Sequence, residues 1–289
     1  MFFQPIIQRF AGARHANLPG EARIAIVSTP RSGNTWLCNM LDHAYECATR
    51  EHGELALYNP LDAPWSNLPD RCIVMTHWHR VEPLPTLWNE HRFFTITLAR
   101  HPLDVLISIL RYAPCEGSLG WLAGQEGDER PIFGVAPESE EFIRYATSRR
   151  AKALLAVSTQ WWKAPGVHRI RYEDLVRNPK RQLLQISKSL GTSPSIGFDE
   201  AVTACAMQRL RNPITARHIW PGKPGLWRTL LTAHVAMRIA AAHPDVFSAL
   251  GYVCNPDRSL DSRKASHNWS RIVSAKAGGL DCGASQSVA

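Results

Sequence analysis

The segment Thr29-Pro30-Arg31-Ser32-Gly33-Asn34-Thr35-Trp36-Leu37 concentrates the residue types that hold an anion. Backbone N–H groups around Gly33 and Asn34, the Ser32 and Thr35 hydroxyls and the Arg31 guanidinium supply donors for a phosphate where a helix begins. It is not a nucleoside-triphosphatase loop, which needs a leading glycine and a lysine directly before its hydroxyl residue. Taken alone, the segment also suits an ordinary strand-to-helix turn capped by Ser or Thr. A second chemical candidate is His77, in Met75-Thr76-His77-Trp78-His79, because imidazole titrates near neutrality and suits proton transfer. His79, two residues on, would share its side of a continuing strand, which raises a two-histidine metal site. The sequence suggests no third ligand, so no metal is expected, and a structural role for His77 stays open.

These side chains need elements to position them. Residues 23–29 (RIAIVST) form a short β-branched run ended by Pro30 and read as a buried strand, with helical spacing from Asn34 onward. Runs 71–76, 92–98 and 167–172 read as further strands. Helical patterns cover 83–90, 102–112, 139–162, 179–190, 197–209 and 227–242. This alternation predicts an α/β fold, a single domain with a mostly parallel central sheet flanked by helices and a P-loop-like strand-loop-helix phosphate site. Two segments break the pattern. Residues 113–138 are rich in Gly, Pro and acidic side chains and read as a lid or substrate loop. From Pro256 the chain turns to Ser, Ala, Gly and scattered charge, which predicts a poorly ordered tail. The division expected is an arm over 1–20, a domain over 21–255 and a tail over 256–289.

Composition narrows the class. The chain has 289 residues, 45% hydrophobic and 20% charged, which excludes a disordered, collagenous or coiled-coil protein. A net charge of +8 favours an anionic partner without choosing among nucleotide, nucleic acid and lipid headgroup. Seven cysteines without a C-x-x-C pair argue against a disulfide framework or a cysteine zinc site. No stretch approaches the roughly 18 apolar residues of a spanning helix, and the start of the chain is too interrupted for a signal peptide. The expectation is a cytoplasmic protein.

With the elements placed, P-R-S-G-N-T-W-L at 30–37 resembles the 5′-phosphosulfate loop of sulfotransferases that use 3′-phosphoadenosine 5′-phosphosulfate (PAPS), of the cytosolic and bacterial type. Arg31 stands where that family usually has Lys. Ala99-Arg100-His101-Pro102-Leu103-Asp104, with Ser108, resembles the 3′-phosphate motif, in which an arginine at a strand end and a serine eight residues later both contact the phosphate. Tyr172-Glu173-Asp174-Leu175 through Asn178-Pro179 resembles a segment whose tyrosine lies by the adenine, and Trp161-Trp162 echoes a tryptophan pair ahead of it. Trp36 takes the position that stacks on adenine. Thr76-His77 resembles the family's Thr-His, whose histidine is the base, although Met75 replaces a lysine there. Near the C-terminal end the G-x-x-G-x-W frame is intact at Gly222, Gly225 and Trp227. Trp220-Pro221 occupies the place of a basic pair that closes over the 3′-phosphate, so Arg217, Lys223 or Arg228 is expected to substitute.

The resemblance implies sulfuryl transfer from PAPS to a hydroxyl or amine acceptor, with His77 as general base and Arg31 steadying the leaving group. Arg31, Ser32, Gly33, Asn34, Thr35, Trp36, Arg100, Ser108, Tyr172, Gly222, Lys223 and Arg217 would bind the donor. A P-loop nucleoside or small-molecule kinase and a non-catalytic nucleotide or nucleic-acid binder are the alternatives. The acceptor is expected to be a small molecule, lipid or carbohydrate, met by the 113–138 lid, the 55–70 loop and the segment around Trp78. Trp65, Trp78 and Trp121 would either stack on it or close a core. Glu126, Asp128 and Glu129 disfavour a polyanionic acceptor. No nucleic-acid partner and no stable membrane insertion are expected, and oligomeric state stays open.

Overall fold

The computed structural model describes residues 21–47, 49–51, 60–115, 129–206 and 222–277. Five strands form one sheet in the order β2-β3-β1-β4-β5, and every pairing is parallel. They are β1 (Ala22–Val27), β2 (Thr49–Glu51), β3 (Arg71–Thr76), β4 (Phe94–Ala99) and β5 (His168–Arg171). Ile24 of β1 aligns with Ile73 on one side and Phe94 on the other, so β1 is central.

Alternation along the strands sends side chains to two cores. Ala22, Ile24 and Ile26, with Ile73, Ile96, Leu98 and Ile170, pack under α1 (Asn34–Tyr45), α7 (Pro179–Leu190) and α8 (Phe198–Ala204). Ala25, Val27, Val74 and Ala99 face the other way. There they meet α3 (Pro102–Tyr112), α4 (Glu140–Ala146), α5 (Arg149–Lys163), α9 (Ala233–Ala241) and α10 (Pro244–Leu250). Each buried Ile, Leu or Val among them contributes about 1.5–3 kcal/mol by leaving water, which holds the strands in register. α2 (Leu84–Glu90) precedes β4, and α6 (Tyr172–Arg177) follows β5 directly.

Because the strands are parallel, the carboxyl ends of β1, β3, β4 and β5 lie along one edge of the molecule. The chain runs from β1 outward to β2 and β3, then returns to β4 on the opposite side of β1. The reversal falls at the end of β1, the place where open parallel sheets bind ligands.

Several expectations are corrected. The run 139–162 is two helices, because Ser148 begins α5 by accepting from the Ala151 N–H. The pattern at 227–242 divides into a short 3-10 turn (Leu226–Thr229) and α9. The tail is not poorly ordered up to 277: α11 (Ser262–Ala277) carries Ala265 buried, sets Trp269 and Ile272 on the core, and Asn268 donates to the Thr229 carbonyl at 2.9 Å. The end of the 113–138 segment is packed as well, with Ile132 fully buried and Glu129 accepting from Tyr145 and Arg150, each at 3.0 Å.

Candidate functional site

Ser28 to Gly33 carry the chain off β1 into α1. Arg31 and Gly33 both adopt left-handed backbone, at φ 68 and 103. The turn this makes is tight enough that a Cβ on Gly33 would lie 2.5 Å from a ring carbon of Tyr172, so only glycine fits there. Thr29 anchors the loop from behind. Its N–H donates to Ser158 Oγ at 2.7 Å and its hydroxyl to the Leu154 carbonyl at 2.9 Å, while Ser158 donates to the Leu98 carbonyl at 2.8 Å. α5 therefore ties the loop to β4. The Ser28 hydroxyl donates to Asn34 Oδ1. α1 itself starts without a side-chain cap, and Ser32 Oγ is buried with no partner. The first turn of α1 thus points open donors out of the carboxyl edge of the sheet.

Two guanidiniums converge on this loop. Arg31 donates from Nε to Ser108 Oγ at 3.2 Å and stacks 4.2 Å from the Tyr112 ring centre. Arg100, at the end of β4, donates to the Arg31 carbonyl at 3.1 Å and lies 4.5 Å over the face of Tyr172. Arg100 is 5% exposed, yet its Nε and Nη2 have no partner. Leaving a buried donor unmade costs about 1–3 kcal/mol, more for a charged group. An anion between these groups would remove that cost.

His77 follows β3 directly. Its Nδ1 stands 2.8 Å from the Ser28 carbonyl, which can only accept, so Nδ1 carries the proton and the Nε2 lone pair is left for another one. In that tautomer the 3.4 Å approach of Asn34 Nδ2 to Nδ1 sets two donors side by side and is not a hydrogen bond. Desolvation lowers the pKa to about 4, and the Arg31 charge adds to the lowering while the Ser28 hydrogen bond opposes both. His77 is neutral at pH 7.

A second strand-to-helix junction braces the first, through residues whose part the sequence reading missed. His101 Nδ1 accepts from the Leu103 N–H at 3.3 Å and caps α3, leaving Nε2–H to donate to the Val253 carbonyl at 3.3 Å. Its ring stacks on Trp227 at 4.8 Å. Asp104, 1% exposed, accepts from the Gly225 N–H at 2.7 Å and the Trp227 N–H at 3.0 Å. The G-x-x-G-x-W frame is thereby pinned to α3 beside Arg100 and Ser108. Glu173 joins the brace by accepting from the His101 N–H and the Tyr252 hydroxyl. The available signal was Asp104 itself, a carboxylate inside an otherwise apolar helix start, which demands N–H partners when buried.

The remaining predicted residues fall as follows. Thr35 is exposed at the start of α1, and Trp36 is half-buried, its indole N–H donating to the Cys205 carbonyl at 2.9 Å. Tyr172 is buried between Gly33 and Arg100, forming the wall behind both. Gly222 is buried and Lys223 exposed. Arg228 donates to the Asn255 carbonyl at 2.9 Å and lies over Trp227. Trp65 and Trp78 do not face an acceptor. They are 3% and 2% exposed and pack edge to face at 5.9 Å in a cluster with Trp88 and Trp161, because four neighbouring aromatics bury more surface together than any loop position would. His79 turns to Gln160, 3.1 Å away. Trp121, Arg217 and Trp220-Pro221 lie outside the described residues. Among the described residues no three His, Cys, Asp or Glu gather as metal ligands, and no helix is long and apolar enough to cross a membrane.

Known proteins share this fold. Mouse sulfotransferase SULT7A1 complexed with PAP is similar at TM-score 0.57 and 15% identity, over 89% of this chain and 90% of that one. Retinol dehydratase in complex with androsterone and the inactive cofactor PAP is similar at TM-score 0.52 and 15% identity, over 81% and 82%. The complex of retinol dehydratase with retinol and PAP follows at 0.50 and 14%, over 81% and 83%. At these identities the likeness is one of fold. No curated protein matches the chain. The family model described as the sulfotransferase domain matches residues 21–220, well over half of the sequence, and the chain belongs to that family.

Proposed function

We propose that this protein transfers a sulfuryl group from PAPS to the hydroxyl or amine of a small-molecule, lipid or carbohydrate acceptor. The observation that carries the reading is the group of buried donors without partners, Ser32 Oγ and Arg100 Nε and Nη2, beside the uncapped start of α1. Donors so placed fit an anionic nucleotide. Arg100 and Ser108 would hold its 3′-phosphate. The backbone of Ser32 to Thr35, with Arg31, would hold the 5′ end that carries the sulfuryl group.

His77 Nε2 would take the acceptor proton as the acceptor atom forms its bond to sulfur. The bond from sulfur to the bridging oxygen breaks, and its electron pair leaves on the phosphate, where Arg31 stabilises the charge. With methionine at 75, Arg31 carries more of that stabilisation. A base with a pKa near 4 is weak, but a polyanion beside Arg31 offsets the charge that helps depress it. Donor binding would therefore move His77 toward the neutral range, where a general base works best.

The test is transfer from isotope-labelled PAPS across a panel of alcohols, phenols, sugars and amines in the presence of a metal chelator. Apolar alcohols head the panel, since retinol and androsterone occupy the retinol dehydratase structures. Labelled acceptor should form with chelator present and disappear in Arg31→Ala and His77→Ala. Absence of calorimetric binding to adenosine 3′,5′-bisphosphate would overturn the reading.

A further inference from the structure

A cleft of about 410 Å³ opens on the flank of the molecule, between the last turn of α5, the outer strand β5, α6 and the start of α7. Trp162, Arg169, Arg171, Asp174, Arg177 and Arg181 are among its lining residues. We infer that it is a second anion site, which takes the phosphate or sulfate group of a small ester.

The charge is one-sided, with four arginines against a single carboxylate. Asp174 is paired with Arg177 at 2.9 Å, which leaves three lining arginines with no carboxylate of the cleft to oppose them. Two of the arginines are held in place before any ligand arrives. Arg169 donates to the carbonyls of Trp162 and Ala164, and Arg171 donates to the Leu250 carbonyl at 2.7 Å while lying 5.4 Å from the Trp162 ring centre and 4.8 Å from that of Tyr252. A guanidinium has five N–H donors in a fixed fork, so these anchors orient it without exhausting it. The Arg181 side chain makes no hydrogen bond or ion pair among the described residues, and it reaches from the first turn of α7. The cleft's size falls in the range of small-ligand sites, about 300–1,000 Å³, and its concavity favours a compact ester over an extended surface partner.

The site is distinct from the donor loop. Tyr172, the next residue after Arg171, turns the other way and packs on Gly33. The inference stands on the cleft's own residues and does not need the donor reading. The ester could come from the nucleotide bisphosphate product or from a sulfated acceptor, and the two sources separate by experiment.

The full-length protein is titrated by calorimetry with adenosine 3′,5′-bisphosphate and, separately, with p-nitrophenyl sulfate, as wild type, Arg177→Gln/Arg181→Gln and Arg100→Gln. Both cleft arginines are exposed, so the double variant is expected to fold. The expected result is two binding events, the weaker falling at least about tenfold in the double variant with the tighter unmoved, since each lost charge-assisted contact is worth that factor or more. If the weaker event appears only with the bisphosphate, the ligand is the nucleotide; if p-nitrophenyl sulfate also shows it, the site accepts sulfate esters. If no event with either probe is weakened in Arg177→Gln/Arg181→Gln, the inference is overturned. Loss of an event only in the cleft variant, with Arg100→Gln changing nothing, would instead sink the donor-site reading and leave the cleft standing.

Discussion

The two strand-to-helix junctions at the carboxyl edge of the sheet are built from similar parts and finished in opposite ways. Between β4 and α3 the polar ends of His101, Asp104 and Glu173 are spent on the protein: His101 uses both ring nitrogens, Asp104 takes two N–H groups from the Gly225–Trp227 turn, and Glu173 takes two more donors. Between β1 and α1 the helix starts uncapped, Ser32 Oγ has no partner, and His77 commits one nitrogen and leaves the other. Arg100 belongs to both, giving Nη1 to the Arg31 carbonyl and leaving Nε and Nη2 unmade. A helix start that satisfies itself holds structure, and one held open by its neighbours is free to hold a ligand.

The sharpest way to break this comparison is at the open junction. Substituting His77 by Ala should lower kcat by about 10²- to 10⁴-fold, the usual worth of a general base, with bisphosphate affinity nearly unchanged. A loss of less than about threefold would place the base elsewhere. Next in size is Gly33→Ala. The left-handed φ of 103 and a Cβ 2.5 Å from the Tyr172 ring together should cost about 2–4 kcal/mol of stability in urea unfolding. The double substitution with Tyr172→Leu should recover part of that loss; no coupling between the two would mean that the ring does not wall the loop.

The closed junction should respond differently. Asp104→Asn keeps the shape but sets an NH2 group against one of two N–H donors, costing about 1–3 kcal/mol. Because both Asp104 carboxylate oxygens are taken by the Gly225 and Trp227 N–H groups, the expected signature is a raised KM for PAPS with kcat changed much less. Equal effects on both would place the carboxylate nearer the reacting atoms than the brace implies.

What the sequence made legible follows the same division. β1, β3 and β4 are short, largely apolar runs buried on both faces, so composition exposes them, whereas β2 is three polar residues, Thr49 to Glu51, at the sheet's edge and carries no such signal. α11 hides behind a serine-rich composition, although Ala265, Trp269 and Ile272 recur at helical spacing and are the residues that pack. At the site, Arg31, Ser108, Arg100 and Tyr172 were legible from local motifs, and the fold brings them together. The brace between Asp104 and Gly225 was not, since it joins segments 121 positions apart. The same limit explains Trp65 and Trp78: an aromatic between elements reads alike whether it faces a ligand or, as here, other tryptophans.

The smallest expected effect comes from pH, and it bears on how completely the second junction is closed. Burial lowers the His101 pKa to about 4, from an ordinary value of 6.5, against the opposing pull of the Val253 hydrogen bond and the Glu173 charge. The unfolded chain then binds the proton more readily than the folded one, so the contribution is fully present above pH 6.5 and is lost as the pH falls toward 4. At pH 5.5 the loss is about 1 kcal/mol. His77 and His243, also lowered by burial, add to the same limb, while Asp104, raised by burial, works in the opposite sense. His101→Asn keeps a side chain able to cap α3 but cannot titrate. Urea midpoints at pH 7 and 5.5 should therefore fall less in this variant than in wild type, though not by nothing, since His77 and His243 remain. An unchanged difference would mean that His101 already carries its proton in the fold, which requires a ring nitrogen freed from Leu103 and a junction that is open after all.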